Sequence, residues 1–521
     1  MSAEALFARE FGTLPELIRA HAAERPDHPA LIEGDETLTY GGLAALMDRI
    51  AFALERDGVR SGDAVAIWAK TSINYVAAFC GVLAAGAAVA PLAPSSTAAS
   101  LMMMLKDSDA GVFLLDRETA EALKEAGREA AVKRIALDDS DAGAPFAEWI
   151  GPDGAKPADV SIAPEQPFNI IYSSGTTGAP KGIVQPHRMR WGQFKRLLYK
   201  DAVMVISTPL YSNTTLVAYL PTLAHGSTAA LLPKFDTGQF LRLSQERRAT
   251  HAMLVPVQYR RIMERADFGQ YDLSSYVLKL STSAPFPAAL KTDVLERWPG
   301  GLVEIYGMTE GGGATMLVAH QFPQKLHTVG QPMPGHDIRL IDEEGREVER
   351  GRVGEVIGRS EMMMAGYHNL PEKTREAEWR DAEGRRFIRT GDIGRFDEDG
   401  FLILLDRSKD VIISGGFNIY PSDIEAELVQ HEAVVEAAVV GVPSDRWGET
   451  PVAFVALRHG ASIDGPALMG WVNARLGKTQ RLSALSIVDS LPRSAIGKVL
   501  KRELRDLHAQ PQPAAPGAGR G

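Results

Sequence analysis

Short apolar runs alternate through the first part of the chain with stretches whose apolar positions recur every three to four residues. Residues 14–23 and 41–55 carry the helical spacing, whereas 64–68 and 112–115 are continuous apolar runs of buried-strand length. Further runs at 203–207, 227–232, 251–255, 277–281 and 303–306 each lie near a helical segment. Such alternation predicts layered α/β sheets in a large N-terminal domain.

From residue 71 to 105 no charged side chain occurs, so a membrane span has to be weighed. Gly86, Pro91 and Pro94 interrupt the stretch, and alanine and glycine dominate it. A buried helix over 74–85 leading into a buried strand over 87–92 fits that composition better, and no integral membrane span is expected.

After residue 330 the pattern changes to Gly-Asp-Glu punctuation with short β runs at 337–341, 354–358 and 401–405, a smaller, mainly β subdomain. Beyond Arg407 it changes again. Pro421 opens a helix, PSDIEAELVQH, whose first turn is acidic in keeping with the helix dipole. Strands at 434–440 and 452–456 and a helix at 466–476 complete a small α+β domain of about a hundred residues. The expected division is 1–406 for the large domain, 407–409 for a hinge, 410–508 for a mobile lid and 509–521 for a tail too poor in apolar surface to order.

At 521 residues the chain is too long for one core, and 45% hydrophobic with 23% charged residues is close to the average of soluble globular proteins, which excludes disordered, collagen-like and coiled-coil classes. Its 56 Lys+Arg against 66 Asp+Glu give a net charge of -10, which offers a polyanion no attraction, so nucleic acid is not an expected partner. The single cysteine, Cys80, lies in an apolar run without a neighbouring base, which suits packing in a reducing compartment. The N-terminus, MSAEALFAREFG, lacks a basic region followed by an apolar core, and a cytoplasmic location follows.

The richest chemical signal is YSSGTTGAPKG, residues 172–182, placed directly after the apolar run FNII. A Gly/Ser/Thr loop leaving a strand presents backbone N–H groups and hydroxyls to phosphate oxygens, and Lys181 adds a mobile charge. The spacing departs from G-x-x-x-x-G-K-[ST], because the fifth residue after Gly175 is Pro180 and Lys181 is followed by Gly182. A Walker-type site is therefore disfavoured, and dinucleotide, zinc-protease and hydrolase signatures do not occur.

This loop resembles the phosphate loop of the adenylate-forming superfamily: acyl- and aryl-CoA synthetases, luciferases and the adenylation domains of peptide synthetases. Six further blocks follow in that superfamily's order: TPLYSNTT (208–215), STSAP (281–285), YGMTE (306–310), RTGD (389–392), DRSKDVIISGGFNIYP (406–421) and PRSAIGKVLKREL (492–504). The resemblance covers most of the chain from about residue 170 onward, and VPSDRWGETPVAFV brings it nearest to acyl- and aryl-CoA ligases.

The resemblance implies a task for each matched residue. Ser173, Ser174, Gly175, Thr176, Thr177, Gly178 and Lys181 would close over the ATP phosphates, with Ser283, Ala284, Pro285, Tyr306 and Gly307 around the nucleotide. Thr309 would reach the α-phosphate, and Glu310 with Thr177 would hold Mg²⁺, a cation suited to hard oxygen ligands. Asp392 would accept the ribose hydroxyls, Arg407 would contact the nucleotide, and Lys409 would be the pivot of the small domain. Lys498 would bridge the substrate carboxylate and α-phosphate, a kind of stabilisation worth roughly 3 to 4 kcal/mol. Ser414, Gly415 and Gly416 would admit the pantetheine of coenzyme A, and Tyr211, Ser212, Asn213, Gly311, Gly312 and Gly313 would line the acyl pocket.

ATP, Mg²⁺ and coenzyme A are thus the implied cofactors and co-substrates, with a small-molecule carboxylic acid as partner; a homodimer stays open. The superfamily often has histidine after the aromatic of P-L-[YF]-H, whereas this chain has Ser212, which carries no positive charge near neutral pH. Gly311 to Gly313 would leave room for a sizeable group, the alternative being a tight turn. The implied acid is an aromatic or medium-to-long-chain monocarboxylic acid. Two alternatives remain at this stage: an adenylating enzyme that loads a carrier protein, and a nucleotide-binding protein without turnover.

Overall fold

The computed structural model describes residues 1–93, 96–125, 132–173, 180–196, 199–349, 351–414, 417–458, 460–494 and 497–509. They form two compact units, one of Met1–Arg339 with Ile357–Thr390, the other of Leu340–Val356 with the chain from Gly391 onward. The architecture is mixed α/β, as the alternation of patterns predicts.

Two large sheets build the first unit. The nine-stranded sheet has a parallel centre, in the spatial order Gly301–Met308, Leu278–Ser281, His251–Leu254, Val203–Ile206, Thr228–Leu231 and Pro29–Glu33. In the eight-stranded sheet, Pro167–Ser173, Ala88–Pro91, Ala64–Trp68, Val112–Leu115 and Lys133–Ala136 run parallel, and Lys181–Pro186 returns antiparallel along the edge of Pro167–Ser173.

Helices Leu14–Glu24, Tyr40–Arg56, Ile73–Ala84 and Asn213–Ala224 share one buried cluster with residues of both sheets. Val65 and Ile67 of one strand enter that cluster, while Ala64, Ala66 and Trp68 pack on the opposite face against Leu101, Met104 and Leu123. Both faces are covered, which is why the strand sequence is continuously apolar. Ile73–Ala84 lies in the shared layer and every residue in it except Asn74 is buried, which accounts for the uncharged stretch. Among the described residues no helix is long and apolar enough to cross a membrane. Cys80 is fully buried there, its thiol pushed up to about 12 by burial.

The second unit centres on antiparallel strands Val434–Ser444 and Gly448–Leu457, with Ala484–Val488 parallel to the latter and Ile412–Ser414 beside it. Its sheet is sandwiched. Val439 and Val455 face helices Pro421–Leu428 and Gly465–Asn473, whereas Val440 and Phe454 face Leu491 and Leu504, the latter on helix Lys501–Ala509. Lys501 ion-pairs with Glu425 at 3.1 Å and Arg505 with Asp410 at 2.9 Å, fastening that last helix by charge as well as packing. The β-rich stretch expected after residue 330 is present as Asp337–Ile341, Gly354–Arg359, Arg386–Phe396 and Leu402–Arg407. The tail from 510 lies outside the described residues.

Candidate active site

Ser173 and Lys181 face each other at the open end of the antiparallel pair Pro167–Ser173 and Lys181–Pro186. The phosphate-loop candidate thus begins where the first strand ends, and its lysine is the first residue of the antiparallel partner strand. Ser174, Gly175, Thr176, Thr177 and Gly178 lie outside the described residues, as does the side chain of Ser173.

Lys181 Nζ stands 5.2 Å from the centre of the Tyr367 ring, and Tyr367 donates from its hydroxyl to Glu310 Oε1 at 2.9 Å. Backbone pairing of Gly366 with Val184 and Tyr367 with Ile183 sets this geometry. Burial, and then the Glu310 charge, push the Tyr367 hydroxyl above its ordinary value, so it remains a donor. Lys181 and Glu310 are thereby joined by a residue that no sequence signal marks, since Tyr367 sits in a two-residue strand, Gly366–Tyr367, too short to show any periodicity.

Tyr306 and Gly307 end the strand Gly301–Met308, and Thr309 and Glu310 form the turn into Gly311–Val318. Gly311 and Gly312 take φ of 82° and 70°, in the left-handed region that favours glycine. A Cβ at Gly311 would lie 2.0 Å from the Met362 carbonyl oxygen, and one at Gly313 would lie 2.0 Å from Ile338 Cδ1. At Gly312 it would meet the Gly358 carbonyl oxygen and Ile388 Cβ, each at 3.0 Å. The volume these glycines release is filled by protein, which corrects the expectation that it opens room for an acyl group and favours the tight turn. Below the turn, Glu304 is buried in an ion pair with Lys291, which also donates to the Leu326 carbonyl at 2.8 Å.

Ser212 is buried and caps helix Asn213–Ala224, accepting from the Thr214 N–H at 3.3 Å. Tyr211 is half-buried just before it. The Thr214 hydroxyl is hydrogen-bonded to that of Ser283, which has a φ of 82° unusual for a side-chain-bearing residue, and Ala284 and Pro285 follow. The Asn213 side-chain oxygen accepts from Arg190 Nη2 at 2.9 Å and from Gln185 Nε2 at 3.4 Å. Gln185 Nε2 also donates to the Thr309 carbonyl at 2.6 Å. Asn213, Thr309 and Ser283 thus meet in one polar cluster.

Arg190 is completely buried. Its guanidinium donates to Asn169 Oδ1 from Nε at 3.3 Å and from Nη2 at 3.1 Å, to Gln193 Oε1 at 2.8 Å, and to Gln185 Oε1. Every acceptor is neutral, and burial pulls the guanidinium down to about 9.

Asp392, Arg407, Lys409, Ser414 and Lys498 belong to the second unit. Asp392 and Arg407 are register partners on antiparallel strands, and Arg407 Nε donates to Asp392 Oδ1 at 2.7 Å. Lys409 lies in a one-turn 3-10 helix, Ser408–Asp410, its ammonium drawn below its ordinary value by burial. Ser414 ends strand Ile412–Ser414 and is buried, while Gly415 and Gly416 lie outside the described residues. Lys498 is exposed on a turn closed by the Ser494 N–H to Lys498 carbonyl bond at 2.8 Å. Arg493 donates to the Gly497 carbonyl at 2.7 Å and ion-pairs with Glu436, which anchors that turn to the sheet.

Layered parallel sheets, a glycine-rich sequence between two paired strands, a Tyr-Gly-x-Thr-Glu turn and a small sheet domain carrying an exposed lysine define the class of nucleotide-dependent acid-activating enzymes. The chain belongs to the AMP-binding enzyme family: residues 18–368 match the family model "AMP-binding enzyme", and residues 423–498 match "AMP-binding enzyme C-terminal domain". A feruloyl-CoA synthase from an Amycolatopsis species is 34% identical over 491 residues, 92% of this chain and 96% of the relative. The 4-coumarate–CoA ligase-like 9 protein of Oryza sativa subsp. japonica is 31% identical over 522 residues, 95% and 92% of the two chains. Among solved structures, the amide bond synthetase McbA of Marinactinospora thermotolerans superposes with a TM-score of 0.84 at 27% identity, covering 95% of this chain and all of the other.

Proposed function

We propose that this protein is an AMP-forming ligase that joins an aromatic monocarboxylic acid, of which an arylpropenoic acid is the first to test, to coenzyme A. In the first half the acid's carboxylate oxygen attacks the α-phosphorus of ATP, the bond to the bridging oxygen breaks, and pyrophosphate leaves. In the second half the thiol, having lost its proton, attacks the carbonyl carbon of the acyl-AMP, and AMP leaves.

The observation that carries this reading is the convergence of Lys181, Tyr367 and Glu310 at the start of strand Lys181–Pro186. A cation and a carboxylate held apart by a neutral phenol suit a triphosphate and its metal ion. Glu310 supplies a hard oxygen, and among the described residues no group of three or more His, Cys, Asp or Glu could hold a metal alone. That donor set fits Mg²⁺, which takes most of its ligands from phosphate and water. The ion supplies charge neutralisation at the phosphates. Thr177 is the second metal-side residue we assign.

In this reading Tyr306 packs on adenine, Thr309 hydrogen-bonds the α-phosphate, Asp392 takes the ribose hydroxyls, and Arg407 orients Asp392. Lys498 stabilises charge while oxygen meets phosphorus. Lys409 in the 407–409 hinge lets the small domain exchange the Lys498 face for the Ser414–Gly416 face between halves. The names of the feruloyl-CoA synthase and the 4-coumarate–CoA ligase-like relative support an aromatic acid and CoA as acceptor. We place the reaction in the cytoplasm, which the single buried Cys80 supports.

The test is pyrophosphate release from a panel of arylpropenoic, benzoic and fatty acids, with CoA, with an amine, or with neither. CoA-dependent AMP formation with an aromatic acid is expected. Amide formation in preference to thioester would replace the acceptor, and no pyrophosphate–ATP exchange with any acid would overturn the reading.

A further inference from the structure

The mechanism just described leaves Arg190 unused. Taking a charge out of water is costly unless it is paired, and buried arginines ordinarily face a carboxylate. Here the guanidinium is wholly buried, forms no ion pair among the described residues, and spends its N–H groups on the side-chain oxygens of Asn169, Gln185, Gln193 and Asn213. A net positive charge is thus kept behind a wall of amides.

Asn169 and Gln185 are fully buried, whereas Gln193 and Asn213 are half-buried, and of these two only Asn213 belongs to the cluster that holds Ser212 and, through Gln185, the Thr309 carbonyl. Because the Asn213 oxygen is claimed by Arg190 and Gln185, the planar amide must turn its nitrogen the other way, and among the described residues Nδ2 makes no hydrogen bond. Asn213 also stands at the first position of helix Asn213–Ala224, where unpaired backbone N–H groups favour negative charge. The preceding Ser212 holds the position where a histidine could have carried that charge. Gln185, fixed by the same guanidinium, holds the Thr309 carbonyl, one residue before Glu310.

We propose that Arg190 is a positioning residue for the acid substrate: it orients Asn213 so that Nδ2, backed by the buried positive charge, donates to the substrate carboxylate. The inference rests on the ligase reading above and names the group that receives the anion in a site lacking histidine at 212. A carboxylate gains doubly, from the donor and from the uncompensated charge, whereas a neutral amide or ester gains only the weaker hydrogen bond. The carboxylate form of the acid is therefore the species selected.

Asn213→Asp separates this role from mere scaffolding. The variant keeps an oxygen acceptor for Arg190, and even supplies the missing counter-charge, while it removes the donor and cancels the field. In pyrophosphate–ATP exchange the KM for the acid should rise at least tenfold, with the KM for ATP within twofold and the thermal midpoint unchanged or higher. Arg190→Met should give the same split between the two KM values. If Arg190→Met does not fold, Asn213→Asp decides alone. An unchanged acid KM in Asn213→Asp, or an equal rise in both KM values with a lowered midpoint, overturns the proposal. Absence of exchange in the wild-type chain is a different failure, that of the ligase reading.

Discussion

Asp392 and Arg407 sit opposite each other on paired strands, and the Arg407 Nε donates to Asp392 Oδ1 at 2.7 Å. Two residues fifteen positions apart, each assigned to the nucleotide, are therefore one unit. The arginine fixes the direction of the carboxylate before any ligand arrives, which reduces the freedom lost on binding. Asp392→Asn should raise the KM for ATP about 10- to 100-fold, the range expected when a charge-assisted hydrogen bond of about 1.5–3 kcal/mol is lost. Arg407 is half-exposed, so Arg407→Gln should leave the thermal midpoint nearly unchanged while still raising the KM for ATP. Titration of initial rates against ATP checks both; a large fall in stability in either variant would contradict the assignment.

Tyr367→Phe removes one hydroxyl and leaves the ring beside Lys181. We expect kcat to fall about tenfold, some 1.4 kcal/mol, with more Mg²⁺ required for half-maximal rate because Glu310 loses its orienting donor. Glu310→Gln should cost more than Tyr367→Phe at every Mg²⁺ concentration. Equal rates for Tyr367→Phe and wild type across a Mg²⁺ series would remove the phenol from the site.

The turn that presents Lys498 hangs on Arg493, through the Gly497 carbonyl and Glu436. Lys498→Ala should depress adenylation by about 10²–10³, and Arg493→Ala by a smaller factor in the same half-reaction. Thioester formation from supplied acyl-AMP, followed in parallel, should be spared in Lys498→Ala. Equal loss in both halves would contradict the role given to the lysine.

Three histidines in the first unit, His187 and His251 buried and His336 half-buried, set an acid limit. Burial draws His187, His251 and, with help from the Arg196 charge, His336 down to about 4, against an ordinary value of 6.5. Each folded-state value lies below the unfolded one, so between the two the unfolded chain binds more protons. Stability is then complete above about pH 6.5 and is lost as pH falls toward 4, by up to about 1.4 kcal/mol per pH unit for each group. Denaturant midpoints measured from pH 7 to 4 should show this slope, and His187→Gln should flatten it.

Much of the first unit was legible because its strands are covered on both faces. Runs such as 64–68 and 112–115 have no polar position to blur their ends, and the structure reproduces both limits. Strand Val434–Ser444 runs past its expected end at 440, since pairing with Gly448–Leu457 carries the ladder into a polar segment. The residues we assign to the nucleotide stand in ordered motifs and carry no periodic signal. Arg190 was not legible. It lies in HRMRWGQFKR, whose four Arg and Lys side chains look like a solvated helix face, and only the packing of that helix against Asn169 and Gln185 buries one of them. Gly311 to Gly313 were misjudged for a related reason: a sequence records the absent side chain, not what occupies its place.

The helices that share one buried cluster with both large sheets have a consequence for how the chain can be cut. Ile73–Ala84 comes early and Asn213–Ala224 much later, yet each contributes to a layer that the other helps to fill. A fragment stopped near residue 200 would leave an oily slab uncovered, so it should aggregate where the complete first unit does not.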